Sequence, residues 1–357
     1  TGVSMKIIHT ADIHIDSKMN RYGGDKTERR IREIKNAFFR MIDYGVKHKV
    51  KVILIAGDLF DNKEVKLATL REVLTKITSA PTIDFIYLAG NHDDPAVFNH
   101  EKLAELPSNL KIVTKENNTF LYDDVCIKAY DNYADEDYTK TLIFDPNKYN
   151  ILMLHGTEAE IPLNNLKGKN IDYLALGDIH IPDIAAKRLD ARGIYAYSGV
   201  LEPRGFDEVG ERGFFVLEIQ KNKLIRREFI KNNSRTYHII DVDISALNNT
   251  LEIELAIKKA TNKIPSDDIV RLKLTGKYDY ELIKDINALR EYLESKFYYA
   301  ELIDDSKVNL NTIDFANEVS LRGEFFRLIE ASNYSPEVKE ELLKLGLNAL
   351  KGRKIDL

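Results

Sequence analysis

The sequence contains one cysteine, Cys126, so no disulfide can form within the chain and a site built from several thiolates is excluded. A chain without a disulfide framework fits a reducing compartment, and a cytoplasmic location is expected. No stretch approaches the ~20 consecutive apolar residues of a membrane-spanning helix, and the amino terminus lacks the basic-then-apolar plan of a signal peptide. No membrane partner is therefore expected. Surplus positive charge is missing as well: the formal net charge is -5, so any contact with nucleic acid has to be local instead of a general coating. Internal repeats and low-complexity tracts are absent. Thr1-Gly2-Val3-Ser4 ahead of Met5 reads as the remnant of an expression tag, with the fold starting at Met5.

What is present is an ordinary globular composition, 44% hydrophobic and 31% charged over 357 residues, enough for about two domains. Short β-branched runs at Lys6 to His9, Val50 to Ala56, Asp84 to Ala89, Tyr149 to His155 and Ile171 to Leu176 alternate with helical patterns, which marks a layered α/β domain. The longest helical pattern runs from about Lys26 to Lys47, with Ile31, Ile34, Phe38, Met41 and Ile42 near the helical period. Lys221 to Lys231 reads as a basic, irregular stretch, and a boundary near residue 232 follows. Beyond it, strands at Tyr237 to Val242, Ile269 to Leu274 and Tyr298 to Ile303 alternate with helices at about Leu251 to Asn262 and Tyr280 to Lys296, a small α/β unit. From about Thr312, with Phe315 and Val319, the pattern is that of two short helices. The expected layout is thus a catalytic domain over 5–232, an α/β unit over 233–308 and a helical tail over 309–357.

Five groups of metal-ligand residues stand where predicted strands run out: Asp12-Ile13-His14, Gly57-Asp58, Gly90-Asn91-His92-Asp93, His155-Gly156 and Gly177-Asp178-Ile179-His180. Ligands in α/β sheets collect at the carboxyl ends of strands, where loops from separate strands converge. Imidazoles, carboxylates and an amide oxygen without thiolate suit a pair of divalent ions. The glycines permit tight turns and close backbone approach. Two ions about 3.5–4 Å apart can activate water and clamp the oxygens of a phosphoester, so phosphoester hydrolysis is the expected chemistry. A single histidine near a strand is more often structural than a ligand; the coincidence of five groups reverses that judgement. His9, His48, His100 and His238 fall outside the groups and are read as structural or surface residues.

The order of these groups is similar to that of the calcineurin-like metallophosphoesterases. The flanking words Gly57-Asp58-Leu59-Phe60-Asp61, Tyr197-Ser198-Gly199 and Glu202-Pro203-Arg204-Gly205-Phe206 resemble the SbcD nuclease group, especially its YhaO-like DNA-repair exonuclease branch. The resemblance spans the chain and implies a layered β-sandwich flanked by helices, followed by a small α/β capping domain and a helical tail. It implies one ion on Asp12, His14, Asp58 and His180 and a second on Asp58, Asn91, His155 and Asp178, with Asp58 bridging and manganese the expected metal. His92 is then a catalytic residue beside the scissile phosphate, stabilising charge or protonating the leaving oxygen. The family usually has histidine where this chain has Asp178, and the extra carboxylate should alter ion affinity and can impair hydrolysis. Asp61 stands where some members carry a histidine.

Further expectations concern partners. A DNA duplex must be held by its phosphates, and the candidates are Lys18, Arg21, Lys26, Arg29, Arg30, Lys187, Arg188, Arg192 and, as the best of them, Arg204. The resemblance implies a homodimer through helices near Lys66 to Ile77 and Val97 to Leu106, an SbcC-type ATPase partner on the carboxyl-terminal helices, and 3′-to-5′ duplex exonuclease with single-strand endonuclease activity. Two rivals are a phosphodiesterase or phosphatase with non-DNA substrates and a metal-impaired scaffold that binds DNA ends without cutting.

Overall fold

The computed structural model describes residues 4–350 apart from 20, 64, 100, 102, 104, 132–137, 280–281 and 310–317. His100, Phe315, the outset of the expected tail and residues 1–3 therefore lie outside the described residues. Contacts divide the chain into two units, Thr1–Tyr237 and His238–Leu357.

The strands of the first unit begin with β1 (Met5–Thr10), β2 (Val52–Ala56), β3 (Asp84–Leu88), β4 (Leu110–Ile112), β5 (Thr119–Leu121) and β6 (Val125–Ala129). They continue with β7 (Tyr149–His155), β8 (Tyr173–Gly177), β9 (Lys187–Arg188), β10 (Ile194–Tyr197), β11 (Gly213–Gln220) and β12 (Lys223–Lys231). They form two six-stranded sheets, ordered β12-β11-β1-β2-β3-β4 and β5-β6-β7-β8-β10-β9. In the first, β1, β2, β3 and β4 run parallel; in the second, β6, β7, β8 and β10 do.

Strand alternation builds the layers. Ile7, Val52, Leu54 and Ile86 of the first sheet share one core with Ile127, Ile151, Met153 and Ala175 of the second. Their neighbours Ile8, Ile53, Ile55 and Phe85 point the other way, into a core with Phe38, Met41 and Val73. Leu152, Leu154, Leu174 and Leu176 cover the far face of the second sheet. Strands buried on both faces need apolar residues at successive positions, which explains runs such as Val52-Ile53-Leu54-Ile55. The result is the expected α/β class, a layered β-sandwich flanked by helices.

Helix α1 (Gly24–Lys47) buries Arg30, Ile34, Ala37, Phe38, Met41 and Ile42 on one stripe, as helical spacing requires. Arg30 corrects the sequence reading: its side chain is fully buried, bonded to Glu202 Oε1 at 2.9 Å and to the Pro203 carbonyl at 2.6 Å, so it cannot meet a phosphate. Helix α2 (Leu67–Thr78) matches the expected 66–77 helix. Between 97 and 106, however, the described residues contain only the short turn of helix Pro95–Asn99. Two single turns, α3 (Tyr138–Thr141) and α4 (Leu163–Leu166), add Tyr138 and Leu166 to the core on the far face of the second sheet.

Within Lys221 to Lys231, residues Lys223 to Lys231 form a strand, β12, which pairs antiparallel with β11 from Gly213↔Lys231 to Gln220↔Lys223 with a register shift between Glu218 and Ile219. The chain after it also stays attached to the first unit. Asn232 Nδ2 donates to the Ala37 carbonyl at 2.8 Å, Ser234 N to Glu202 at 2.6 Å, and Arg235 Nη2 to Glu33 Oε1 at 2.9 Å. The division between units consequently falls after Tyr237.

The second unit has a three-stranded sheet of β13 (Tyr237–Asp243), β14 (Ile269–Thr275) and β16 (Tyr299–Asp304), and a small pair β15 (Lys277–Tyr278) with β17 (Lys307–Val308). Helix α5 (Thr250–Ala260) is capped by Asn249, and α6 (Ile286–Lys296) starts later than the expected Tyr280 because Asp285 caps it by accepting from Ala288 N. Two tail helices follow, α7 (Leu321–Glu330), capped by Ser320, and α8 (Pro336–Leu350), with proline at its first position. They pack closely, since a Cβ on Gly346 would lie 2.1 Å from Phe325 Cζ. No described helix is long and apolar enough to cross a membrane.

Candidate metal centre

All five residue groups emerge at the carboxyl ends of parallel strands, after β1, β2, β3 and β8 and at the last residue of β7. The loops are strained where they turn. Asp12 (φ 50°), His14 (φ 50°), Asp58 (φ 53°) and Asp178 (φ 100°) occupy the left-handed region without being glycine. Such residues cost on the order of 1–3 kcal/mol each and persist only where surroundings fix them. Here the backbone does the fixing: Ile13 N and His14 N both donate to the Asp58 carbonyl, at 2.8 and 3.0 Å, and Asp12 N donates to the Gly57 carbonyl at 3.1 Å. Asp93 clasps the neighbouring loop, its carboxylate accepting from Leu59 N (2.7 Å), Phe60 N (3.3 Å) and Gly90 N (2.7 Å). Sequence reasoning gave Asp93 no such part; the signal was a buried acid between two ligand-bearing loops.

The side chains converge. His155 Nε2 lies 3.2 Å from Asn91 Oδ1, 3.5 Å from Asp58 Oδ2 and 3.7 Å from Asp178 Oδ1. His14 Nε2 lies 3.7 Å from the same Asp58 Oδ2 and 3.3 Å from His180 Nε2. Asp12 receives the Asp178 amide at 3.0 Å on both oxygens. Asp12, His14 and His180 offer donor atoms within 4.8 Å of one another, and so do Asp12, Asp58 and His155. Asp58 Oδ2 therefore stands between two donor groups, while Asp58 Oδ1 accepts the His92 amide at 2.9 Å. The His92 ring is half-exposed and edge-on to His14, centroids 5.0 Å apart.

Each converging imidazole is held from behind. His155 Nδ1 is 2.9 Å from the Ala56 carbonyl, His14 Nδ1 is 3.0 Å from Asp61 Oδ1, and His180 Nδ1 is 2.7 Å from Glu208 Oε1. The carbonyl on His155 Nδ1 favours the tautomer whose Nε2 lone pair points into the gap, the arrangement that metal-binding histidines use, while His180 Nδ1 meets Arg204 Nη2 at 3.2 Å as well as Glu208. The Nε2 atoms of His14 and His180 face each other at 3.3 Å, close enough to share one divalent ion. The donor set of imidazole, carboxylate and amide oxygen fits divalent ions of hard to borderline character.

The electrostatics point the same way. Burial pushes the Asp12 carboxyl up to about 6 against the pull of His155 and His180. Burial and the nearby acids Glu160 and Asp58 raise Asp178, despite His155 and His180. Burial works against the charge on Asp58 too, but the His155 bond and the charges of His155 and His14 win and hold it below the usual carboxylate range. For His155, burial is outweighed by Asp58 and Asp12, which raise it to about 9. His14 is lowered to about 4, by burial and by Arg204.

Of the residues outside the groups, His9 is structural: it is fully buried between Tyr173 Oη (2.9 Å) and the Leu176 carbonyl (3.2 Å), and burial lowers it to about 3. His48 stacks on Tyr44 at 4.0 Å, and His238 Nε2 is 2.9 Å from Asp268. Among the basic candidates, Arg192 is engaged with Asp172 at 2.8 Å and Lys187 with Glu158 at 2.6 Å, whereas the exposed Arg188 donates to the Ala191 carbonyl. Lys18, Arg21 and Arg204 line a single cleft with Tyr22 and Glu208, and the Arg21 guanidinium sits 5.2 Å over the Phe206 ring. Glu208, buried behind His180, was missed by sequence reasoning; nothing in its spacing marks it.

The profile of the family described as calcineurin-like phosphoesterase matches residues 5–194. Among curated proteins, the chain is 23% identical over 338 residues to the DNA double-strand break repair protein Mre11 of Sulfolobus acidocaldarius, covering 86% of each. It is 25% identical over 355 residues to the uncharacterized metallophosphoesterase YhaO of Bacillus subtilis, covering 87% of this chain and 84% of that protein. With a subunit of the nuclease SbcCD of Staphylococcus epidermidis it shares 26% identity over 270 residues, 63% of this chain and 69% of that protein.

Proposed function

Because the chain belongs to the calcineurin-like phosphoesterase family, we propose that it is a metal-dependent DNA nuclease, the catalytic subunit of an SbcCD-type repair complex with 3′-to-5′ exonuclease and single-strand endonuclease activity. The observation that carries the chemistry is the Asp58 carboxylate shared between the His14 and His155 sides of the centre. The choice of DNA rests on relatives named as break-repair and nuclease proteins that align over most of their length.

On this reading Asp12, His14, Asp58 and His180 hold one divalent ion and Asp58, Asn91, His155 and Asp178 the other, manganese being the first choice. Such a pair supplies Lewis acidity toward the scissile phosphate and lowers the pKa of a nearby water. The chain's own residues do the rest. Asp58 fixes the spacing of the two donor groups. In this reading His92, whose backbone is tied to Asp58 and whose ring is half-exposed, protonates the leaving oxygen. Asp178 adds an oxygen donor 3.7 Å from His155 Nε2, and its negative charge tempers the electrophilicity of the second ion. Lys18 and Arg21, in the cleft that Arg204 and Glu208 also line, and the exposed Arg188 contact DNA phosphates.

The deciding experiment compares manganese-dependent cleavage of linear duplex and single-stranded DNA with hydrolysis of bis-p-nitrophenyl phosphate by the same preparation. Cleavage of both substrates is expected. Turnover of the small diester alone would leave a phosphodiesterase with other substrates, and turnover of neither would leave the DNA-end scaffold.

Partners follow from the same reading: a second copy docked through α2 and the 97–106 segment, and a coiled-coil ATPase on the tail. The tail exposes Leu321 (71%) and Leu328 (65%), large apolar side chains in the segment assigned to the partner. Leu321→Glu with Leu328→Glu is expected to abolish co-purification with the ATPase and to leave diester hydrolysis within about twofold, since surface changes cost little stability. Undiminished co-purification would remove the tail as the docking site.

A further inference from the structure

The third group of titratable residues at the centre lies behind the donors. Arg204, in the loop after β10, reaches two carboxylates: Nη1 is 3.0 Å from Asp61 Oδ1 and Nη2 is 3.3 Å from Glu208 Oε1. These are the same two oxygens that face the imidazoles, Asp61 Oδ1 at 3.0 Å from His14 Nδ1 and Glu208 Oε1 at 2.7 Å from His180 Nδ1. Arg204 Nη2 also lies 3.2 Å from His180 Nδ1 itself, the Arg204 amide donates to Glu208 Oε2 at 2.5 Å, Nη1 lies 3.4 Å from Ser17 Oγ, and the Arg204 carbonyl accepts from Tyr237 Oη at 3.1 Å. The side chain is only 19% exposed. A guanidinium so committed has little left for a DNA phosphate, the part that sequence reasoning gave it.

We infer that Arg204 is a positioning residue: by bridging Asp61 and Glu208 it fixes the His14 and His180 rings with both Nε2 atoms toward one point, and so sets the affinity of the ion held there. The inference rests on the metal-centre reading above. Its distinguishing consequence is asymmetry. The other ion's histidine, His155, is braced by the backbone carbonyl of Ala56, an acceptor with no dependence on Arg204. The planar fork is essential, because a lysine ammonium is a point charge that cannot span two carboxylates in fixed geometry.

The test is a manganese titration by calorimetry on the full chain, wild type against Arg204→Lys, Arg204→Ala and Glu208→Gln, with metal-free melting temperatures alongside. Expected are two ions in the wild type. In each variant one site should weaken by about 10–100-fold, the usual effect of removing a ligand's outer partner, while the other changes less than about twofold. The double variant Arg204→Lys with Glu208→Gln should weaken that site no further than the worse single one, because the two act as a unit. Arg204→Lys keeps the charge and serves where Arg204→Ala does not fold. Unchanged manganese affinities, with DNA binding weakened and its salt slope flattened by about one, would make Arg204 a phosphate contact and overturn the inference. Equal loss of both ions with a lowered metal-free melting temperature would make it a general structural residue, which also overturns it. A wild type that binds fewer than two ions overturns the metal-centre reading first and this inference with it.

Discussion

Asp58→Asn is expected to slow phosphodiester hydrolysis by roughly 1,000-fold, about 4 kcal/mol of transition-state stabilisation, and to reduce manganese below two ions per chain. The substitution is nearly isosteric. An asparagine Oδ1 can still accept the His92 amide, which meets Asp58 Oδ1 at 2.9 Å, so the loop from Gly90 to Asp93 keeps its anchor. What disappears is the charge on the oxygen that lies 3.5 Å from His155 Nε2 and 3.7 Å from His14 Nε2. Loss of that charge also relieves Asp12, whose carboxyl Asp58 helps to push upward. The metal-free protein should melt somewhat lower than the wild type, because the charge that His155 and His14 stabilise is gone, so the rates are compared at a temperature where both proteins are fully folded. Hydrolysis of bis-p-nitrophenyl phosphate at saturating manganese, with metal content and melting temperature on the same samples, checks all three. A rate within tenfold of the wild type with two ions bound would show that Asp58 does not bridge.

The residues of the centre were legible in the sequence for a physical reason. A parallel strand buried on both faces is a short apolar run, so its end is visible, and a ligand placed just past it is visible too. His155 is the last residue of β7 and Asp178 directly follows β8. What supports them was not legible, because its partners are set by tertiary return of the chain. Glu208 braces a histidine 28 positions upstream, and only the course of the loop after β10 brings them together. Strand β12 was hidden by its charge: the exposed Arg226 suits an edge strand, which natural proteins protect in this way, and Arg227 packs over Phe215, but both break the apolar alternation that identifies strands. Arg30 is a different case. It stands four residues before Ile34 on the stripe that continues to Phe38, Met41 and Gly45, and that spacing was the available sign that it faces inward with Glu202 as its counter-charge.

Gly57→Ala should carry a large structural penalty for a single methyl group. Gly57 has φ +95°, where an L-residue is strained, and a Cβ there would lie 1.9 Å from His155 Nδ1 and 2.4 Å from its Cγ. The imidazole cannot retreat easily. It is buried, its Nδ1 is held by the Ala56 carbonyl at 2.9 Å, and a Cβ on Gly177 would sit 2.8 Å from the same nitrogen, so glycines from both sheets leave room for the ring. Backbone strain of about 1–2 kcal/mol and overpacking of about 1–3 kcal/mol together predict a loss of about 2–5 kcal/mol in denaturant unfolding. Under conditions where the variant is still folded, the displaced His155 should leave one manganese per chain instead of two. Gly24→Ala separates the two contributions, because Gly24 is also left-handed (φ +50°) but its Cβ would meet nothing within 4 Å. That variant should lose only the strain and retain both ions. Equal costs for the two substitutions would mean that His155 is free to move, and a histidine free to move could not hold an ion in a fixed relation to Asp58.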